Sequence, residues 1–309
     1  MKHPLKMLSR VRRYLAYRRS LGYVLREEGR LVLDFGRYAD RAGHRGALTL
    51  ELALRWARLP AQADPGYWAR RLQAVRCLAK YLALFEPQTV VPSARILGRA
   101  FVRRVPHLYS SEELAQLLRA ARRLPPSGSL RPHTYFTLIG LMACTGMRLG
   151  EALRLRVEDV DLGAGIITVR HSKLHDVRVL PLHPSTRKQL LRYHRQRHAR
   201  VPTANTFFVS LRGTALAVKT AQERFRILAA AIKCRGSRPR PRLMDLRHTF
   251  SCRVLLKWSR REQDLDHDLL LLMHYLGHSK IRHTYWYLTG VPELFHQAAA
   301  AFESCLPLS

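Results

Sequence analysis

Apolar residues recur at helical spacing along the first 90 positions of the 309-residue chain, with arginines filling the faces between them. Leu8, Val11 and Leu15 form the first apolar face, ringed by Arg10, Arg12, Arg13, Arg18 and Arg19. Leu31, Phe35 and Tyr38 form a second, which ends near Gly43. A third helix is predicted from Thr49 to Leu59, where Pro60 stops it. The fourth is the best defined. Asp64 can cap it, Pro65 sits in the first turn where no N–H is needed, and Trp68, Leu72, Val75, Ala79 and Leu82 line one side before Pro87. Residues 1–90 therefore read as a small helical bundle with a basic exterior.

Residues 91–109 have no period and carry Pro92, Arg95, Arg99, Arg103, Arg104 and Pro106, the composition of a basic linker. A second domain, residues 110–290, opens with a capping box, Ser110-x-x-Glu113, on a helix running to Arg123. Tyr135–Cys144 is an apolar helix ended at Gly146. Ile166–Arg170 and Val177–Leu180 alternate as strands, with His171–Asp176 between them as a hairpin, and Thr206–Ser210 reads as a further short strand. Helices are expected over Ser185–Arg197, Thr220–Lys233, from near Asp245, over Leu269–Leu276 and over Thr284–Leu288. A basic stretch, Arg235 to Arg242, and a charged excursion, Trp258–His267, separate them. Pro292–Leu306, inside the tail 291–309, looks like a short amphipathic helix. The fold class is mainly α with a small β-sheet or hairpin in the second domain.

Composition changes the picture through charge. Hydrophobic residues make up 47%, so a folded core is expected, yet 54 Lys and Arg face only 22 Asp and Glu, a net charge of +32. Residues 1–107 carry 22 basic and 7 acidic side chains and the remainder 32 and 15. Both halves are basic, which points to a polyanion touching both, with nucleic acid the leading partner. A membrane surface is disfavoured, because no helix separates a basic face from an aromatic one and runs such as Leu269–Met273 are far too short to span a bilayer. Met1 to Arg30 holds nine cations and no long apolar core, unlike a signal peptide. The five cysteines have no CxxC or zinc-like spacing and read as buried thiols of a cytoplasmic, nucleoid-associated protein.

Candidate chemistry lies in three segments of the second domain. The first is Thr145-Gly146-Met147-Arg148-Leu149-Gly150-Glu151, where a glycine turn presents an arginine at a helix start. The second is Asp245-Leu246-Arg247-His248-Thr249-Phe250. The third is Leu276-Gly277-His278, followed nine positions after the histidine by Tyr287 in Thr284-Tyr285-Trp286-Tyr287-Leu288. Singly each fragment is ordinary: most arginines are solvated charges, Leu-Gly-His is a helix C-cap, and a tyrosine among aromatics is usually core. Their order and spacing are not ordinary. Over residues 108–290 the chain resembles the tyrosine recombinases, a family that includes phage integrases and Xer chromosome-dimer recombinases. The first domain matches by architecture only.

The resemblance implies a DNA-strand-exchange enzyme with a C-shaped, two-domain clamp on double-stranded DNA. Residues 1–90 would be a SAM-like core-binding domain, and residues 110–290 the catalytic domain. Arg148 and Arg247 would grip the phosphate, His278 would hydrogen-bond it, and Lys173 at the hairpin would protonate the leaving group. Tyr287 would be the nucleophile, forming a 3′-phosphotyrosyl intermediate, and Glu151 would support the site. Self-association into a tetrameric synapse on specific sites would follow, with the tail helix on a neighbouring protomer or on its own domain. Two guanidiniums suit this chemistry because they neutralise the anionic diester bidentately, and clustered cations favour the anionic form of a phenol. No cofactor or metal is implied; the sequence has no phosphate-binding glycine loop and no metal-spaced His/Cys cluster. Two features depart from the family. Met244 stands three residues before Arg247 where histidine is usual, leaving Arg242 and His248 as nearby cations that could supply the donor. The Arg247–His278 interval is also longer than in minimal members, and together the two departures resemble integrases of mobile elements more than the Xer pair. A type IB topoisomerase shares the residue set, and a DNA-binding protein with impaired catalysis is the other rival reading.

Overall fold

The structure is a computed structural model that describes residues 6–100, 104–170, 177–230, 241–259 and 265–288. Chain contacts divide it into two units, Met1–Arg103 and Arg104–Ser309. The first consists of α1 (Met7–Ser20), α2 (Arg26–Arg41), α3 (Leu50–Arg58) and α4 (Pro65–Leu82). Val11, Phe35, Trp56, Val75 and Leu78 fill its core. Thr49 and Asp64 cap α3 and α4 by accepting from the Leu52 N–H at 3.3 Å and the Gly66 N–H at 2.8 Å. The start of α1 has no cap of its own. Asp40 of α2 supplies one, accepting from the N–H groups of Met7 at 2.8 Å and Leu8 at 3.3 Å. Arg71 is buried with its guanidinium 3.7 Å from the Trp56 ring centroid while donating to the Trp56 carbonyl at 2.9 Å.

The second unit carries α5 (Ser111–Arg122), α6 (Arg131–Thr145), α7 (Leu149–Arg154), a 3-10 turn (Val157–Asp159), strands β1 (Val160–Asp161), β2 (Ile166–Arg170) and β3 (Val177–Pro181), then α8 (Pro184–Arg200), α9 (Val218–Ala230), α10 (Leu243–Ser259), α11 (Leu265–Leu276) and α12 (Arg282–Tyr285). The capping box is formed: the Ser110 hydroxyl accepts from the Glu113 N–H at 3.0 Å and Glu113 from the Ser110 N–H at 2.9 Å. The sheet is antiparallel in the order β1-β2-β3, with Val160 opposite Ile167 and Arg170 opposite Val177. Ile167, Val169 and Leu180 face the core. The fold is thus mainly helical with one small sheet.

Both ends of the aperiodic 91–109 stretch are packed. Val91 and Leu97 lie against the first core, and Tyr109 is buried in the second, its N–H on the Thr249 hydroxyl at 3.0 Å and its own hydroxyl on the Arg242 carbonyl at 3.1 Å. Thr206–Ser210 is not a strand. Thr206 and Val209 make isolated bridges only, and three consecutive buried residues, Phe207, Phe208 and Val209, forgo the one-sided alternation of a sheet to pack around Tyr193. Cys77 and Cys144 are exposed, against the expectation of buried thiols, because they lie on helix faces turned away from the core; Cys252 is buried. The His171–Asp176 hairpin with Lys173, residues 235–240, Cys234, Cys305 and the Pro292–Leu306 helix lie outside the described residues, as do residues 260–264 of the charged excursion.

One glycine decides how the second unit closes. Gly146 ends α6 at φ +62°, and a Cβ there would lie 2.5 Å from Cδ1 of Phe250 on α10 and 3.2 Å from Cδ2 of Leu276 on α11. The glycine lets three helices meet. Gly146→Ala is expected to cost about 2–5 kcal/mol, from the left-handed backbone plus the overpacking. Chemical denaturation monitored on the whole protein should show it in the transition of the second unit; a loss under 1 kcal/mol contradicts the close approach.

Candidate active site

The described members of the predicted constellation lie in the first two turns, or just beyond the ends, of α6, α7, α10, α11 and α12. Arg148 is the residue before α7, Arg247 lies in the second turn of α10, and His278 follows α11. The two turns that deliver them are glycine-ended helix C-termini. Gly146 gives its N–H to the Met142 carbonyl at 3.0 Å; Gly277, at φ +65°, gives its own to His274 at 3.0 Å, while the His278 N–H reaches Met273 at 3.0 Å. These turns leave the carbonyls of Gly146, Leu276 and Gly277 facing the arginines.

Arg247 collects the three segments. Its buried guanidinium donates to the Gly146 carbonyl at 2.8 Å, the Leu276 carbonyl at 2.8 Å and the Tyr287 hydroxyl at 3.3 Å, and its Nη2 lies 2.8 Å from Nε2 of His278. Burial pulls its pKa down, while Tyr287 opposes that. The group stays charged, since guanidinium loses no proton at accessible pH. Arg148 donates to Glu151 at 2.7 Å and to the Gly277 carbonyl at 3.1 Å, leaving much of its side chain open to solvent.

Glu151 is a buried carboxylate held on two sides. It accepts from Arg148 and also from Nη2 of Arg178 on β3, at 2.7 Å. Burial alone would raise its pKa, but the hydrogen bonds and charges of Arg178 and Arg148 outweigh burial and bring it to about 2. Arg178 is absent from the sequence-based set. In Val177-Arg178-Val179-Leu180 the valines suggest the inner face, yet Val177 and Val179 are exposed and Arg178 shares the inner face with Leu180. Thr284 was also missed: it is fully buried, and its hydroxyl lies 2.9 Å from Nδ1 of His278.

Tyr287 is buried at 4% exposure and lies just past α12, its N–H on the Thr284 carbonyl at 2.9 Å; Tyr285 is 43% exposed. The expected helix over Thr284–Leu288 is shorter than its pattern and ends at Tyr285. Met244 is 53% exposed at the start of α10. Of its two candidate substitutes, Arg242 is engaged with Asp245 at 2.8 Å. His248 is beside the tyrosine, its ring edge-on to Tyr287 with centroids 5.0 Å apart. Lys173 belongs to the six residues joining β2 to β3, outside the described part. Among the described residues no cluster of His, Cys, Asp or Glu is gathered to hold a metal ion, and no helix is long and apolar enough to cross a membrane.

Residues 108–291, more than half the chain, match the model of the phage integrase family. The chain belongs to that family, the tyrosine recombinases, enzymes that cleave and rejoin DNA strands. Its relatives include the protein y4rB of Sinorhizobium fredii, named as an integrase/recombinase, which is 39% identical over 301 residues covering 95% of this chain and 96% of that one. In fold it is similar to the Tn1549 transposon integrase solved in complex with transposon right end DNA (TM-score 0.68, 16% identity, 97% of this chain and 99% of that one). It is also similar to lambda integrase, solved as a tetramer bound to a Holliday junction (TM-score 0.62, 15% identity, 89% and 76%).

The site also makes the fold sensitive to acid. Burial first, then Arg247, Arg148, His283 and Arg178, hold His278 at about 3, against 6.5 for a free imidazole. Both His278 and Glu151 have folded pKa values below their unfolded ones. The unfolded chain therefore binds protons that the folded chain refuses, and stability present above the unfolded pKa is lost as pH falls. Thermal unfolding should show a decline from about pH 6.5 towards 3 for His278 and from 4.5 towards 2 for Glu151. His278→Gln should flatten the limb above pH 4.5, and an unchanged slope in that variant contradicts a depressed histidine.

Proposed function

We propose that this protein recombines double-stranded DNA at specific sites, with Tyr287 as the nucleophile. The observation that carries this reading is the meeting of three distant segments on one guanidinium: Arg247 touches both the Tyr287 hydroxyl and the His278 ring. The Tyr287 oxygen attacks the scissile phosphorus, releasing its hydroxyl proton to water, and the bond to the 5′-oxygen breaks. That oxygen leaves as a 5′-hydroxyl, its proton supplied by Lys173. Arg148 and Arg247 take the charge that builds on the non-bridging oxygens, and His278 adds a hydrogen bond. The resulting 3′-phosphotyrosyl ester keeps the bond energy, so a 5′-hydroxyl from another strand attacks it and restores the tyrosine.

Basic charge on both units supports a clamp, with residues 1–90 on one side of the duplex and residues 110–290 on the other. Strand exchange between two sites needs several nucleophiles, which supports a tetramer like that of lambda integrase. Met244 is a tolerated departure in this reading: two arginines and a histidine still hold the phosphate charge, and His248 stands beside the nucleophile.

Trapping on a nicked duplex that carries the protein's own recombination site tests the assignment. The natural protein and Tyr285→Phe should both form a covalent adduct, because Tyr285 points to solvent. Tyr287→Phe should form none while still binding DNA. An adduct that survives Tyr287→Phe overturns the nucleophile, and a natural protein that binds the site yet never forms an adduct is a DNA-binding protein only.

A further inference from the structure

We infer that Thr284 is a positioning residue: its hydroxyl takes the proton that Arg247 confines to Nδ1 of His278 and so holds the ring with Nε2 toward the reacting phosphate. This rests on the catalytic reading above but stands on separate contacts. Nη2 of Arg247 lies 2.8 Å from Nε2 of His278. A guanidinium has donors only, so Nε2 must accept. The proton of a neutral imidazole is then on Nδ1, and the Thr284 hydroxyl, 2.9 Å away, receives it. The tautomer follows from the donors-only guanidinium on α10; the hydroxyl on α12, which can give or take a hydrogen bond, conforms to it and holds the ring.

The position suits that task. Thr284 is fully buried, its N–H is bound to the Ile281 carbonyl at 2.7 Å, and a β-branched side chain has few rotamers to choose from. The same residue accepts the Tyr287 N–H through its carbonyl at 2.9 Å. One side chain therefore aims the histidine while its backbone holds the tyrosine, whose ring stacks on His278 with centroids 5.8 Å apart. The arrangement has a chemical consequence. With Nε2 accepting from Arg247, His278 has no proton there to give a phosphate oxygen, and it gains one only as imidazolium. Thr284 can keep its bond to Nδ1–H through that change, so the ring need not turn when phosphate arrives. Around the ring, the charged and titratable groups of the described residues are Arg247 and His248 on α10, Arg148 and Glu151 at α7, Arg178 on β3, His283 on α12 and Tyr287. The cations dominate, so imidazolium formation needs the added negative charge of a phosphate.

Two measurements on the full-length protein test this. Nitrogen-15 NMR of histidine-labelled protein without DNA, with the His278 signal assigned by its loss in His278→Gln, should show the Nδ1–H tautomer at neutral pH. Single-turnover cleavage of the nicked duplex should fall roughly 10–100-fold in Thr284→Val, the effect of leaving one buried donor unpaired, and stay within about threefold in Thr284→Ser. DNA affinity should change by less than about threefold in both, since neither arginine is touched. An Nε2–H tautomer in the natural protein refutes the proposal whether or not any variant folds, and so does a Thr284→Val variant that cleaves at the natural rate. If the natural protein shows the Nδ1–H tautomer but never cleaves, the catalytic reading fails and with it the catalytic role of Thr284, while the proton placement stands.

Discussion

A buried guanidinium organises the catalytic unit. Arg247 has 7% of its surface exposed, and a charge so placed is tolerable only when its donors are matched. The matching groups come from three places in the sequence: the carbonyl that ends α6, the carbonyl that ends α11, and the histidine and tyrosine beyond it. Helix ends have carbonyls without intrahelical partners, so two unsatisfied helix termini and one unsatisfied cation solve each other's problem. The left-handed glycines at 146 and 277 are the local condition, because they turn the chain at the point where those carbonyls are needed. Convergence of the site and closure of the fold are the same event.

Around that centre the charges are layered. Glu151, buried and ionised, separates Arg148 from Arg178 and keeps Arg148 aimed at the Gly277 carbonyl. One carboxylate cannot neutralise three guanidiniums, so the site keeps an excess of positive charge that an anion would relieve. Burial first, and then this field, keeps His278 neutral, with its pKa at about 3.

Much of this was legible in the sequence, for a physical reason. Caps, glycine stops and helical periods act locally, so Thr49, Asp64, the Ser110–Glu113 box and Gly146 announce their elements from neighbouring residues alone. The four predicted catalytic positions that are described could be picked out by motif order: Arg148 and His278 follow glycine turns, while Arg247 and Tyr287 have no turn signal of their own and stand out by spacing. What the sequence hid is decided across elements. Val177-Arg178-Val179 looks like a strand with its valines inward, and only the pairing of β3 with β2 shows the reverse. Phe207-Phe208-Val209 looks like a strand because it is apolar, but burial on all sides needs no sheet. Thr284 carries no signal at all, since a buried threonine in a short helix is common and its partner is six residues away.

If the forked geometry of Arg247 is what brings the site together, charge alone should not replace it. Lysine keeps the charge but offers a single point donor in place of the fork. Single-turnover DNA cleavage by Arg247→Lys, run beside a denaturation curve and a DNA-binding titration, measures the difference directly. Cleavage should fall about 10²–10³-fold, as when a strong donor to the developing charge is removed, while the protein still binds DNA. Cleavage within a few fold of the natural rate would contradict the organising role given to this guanidinium.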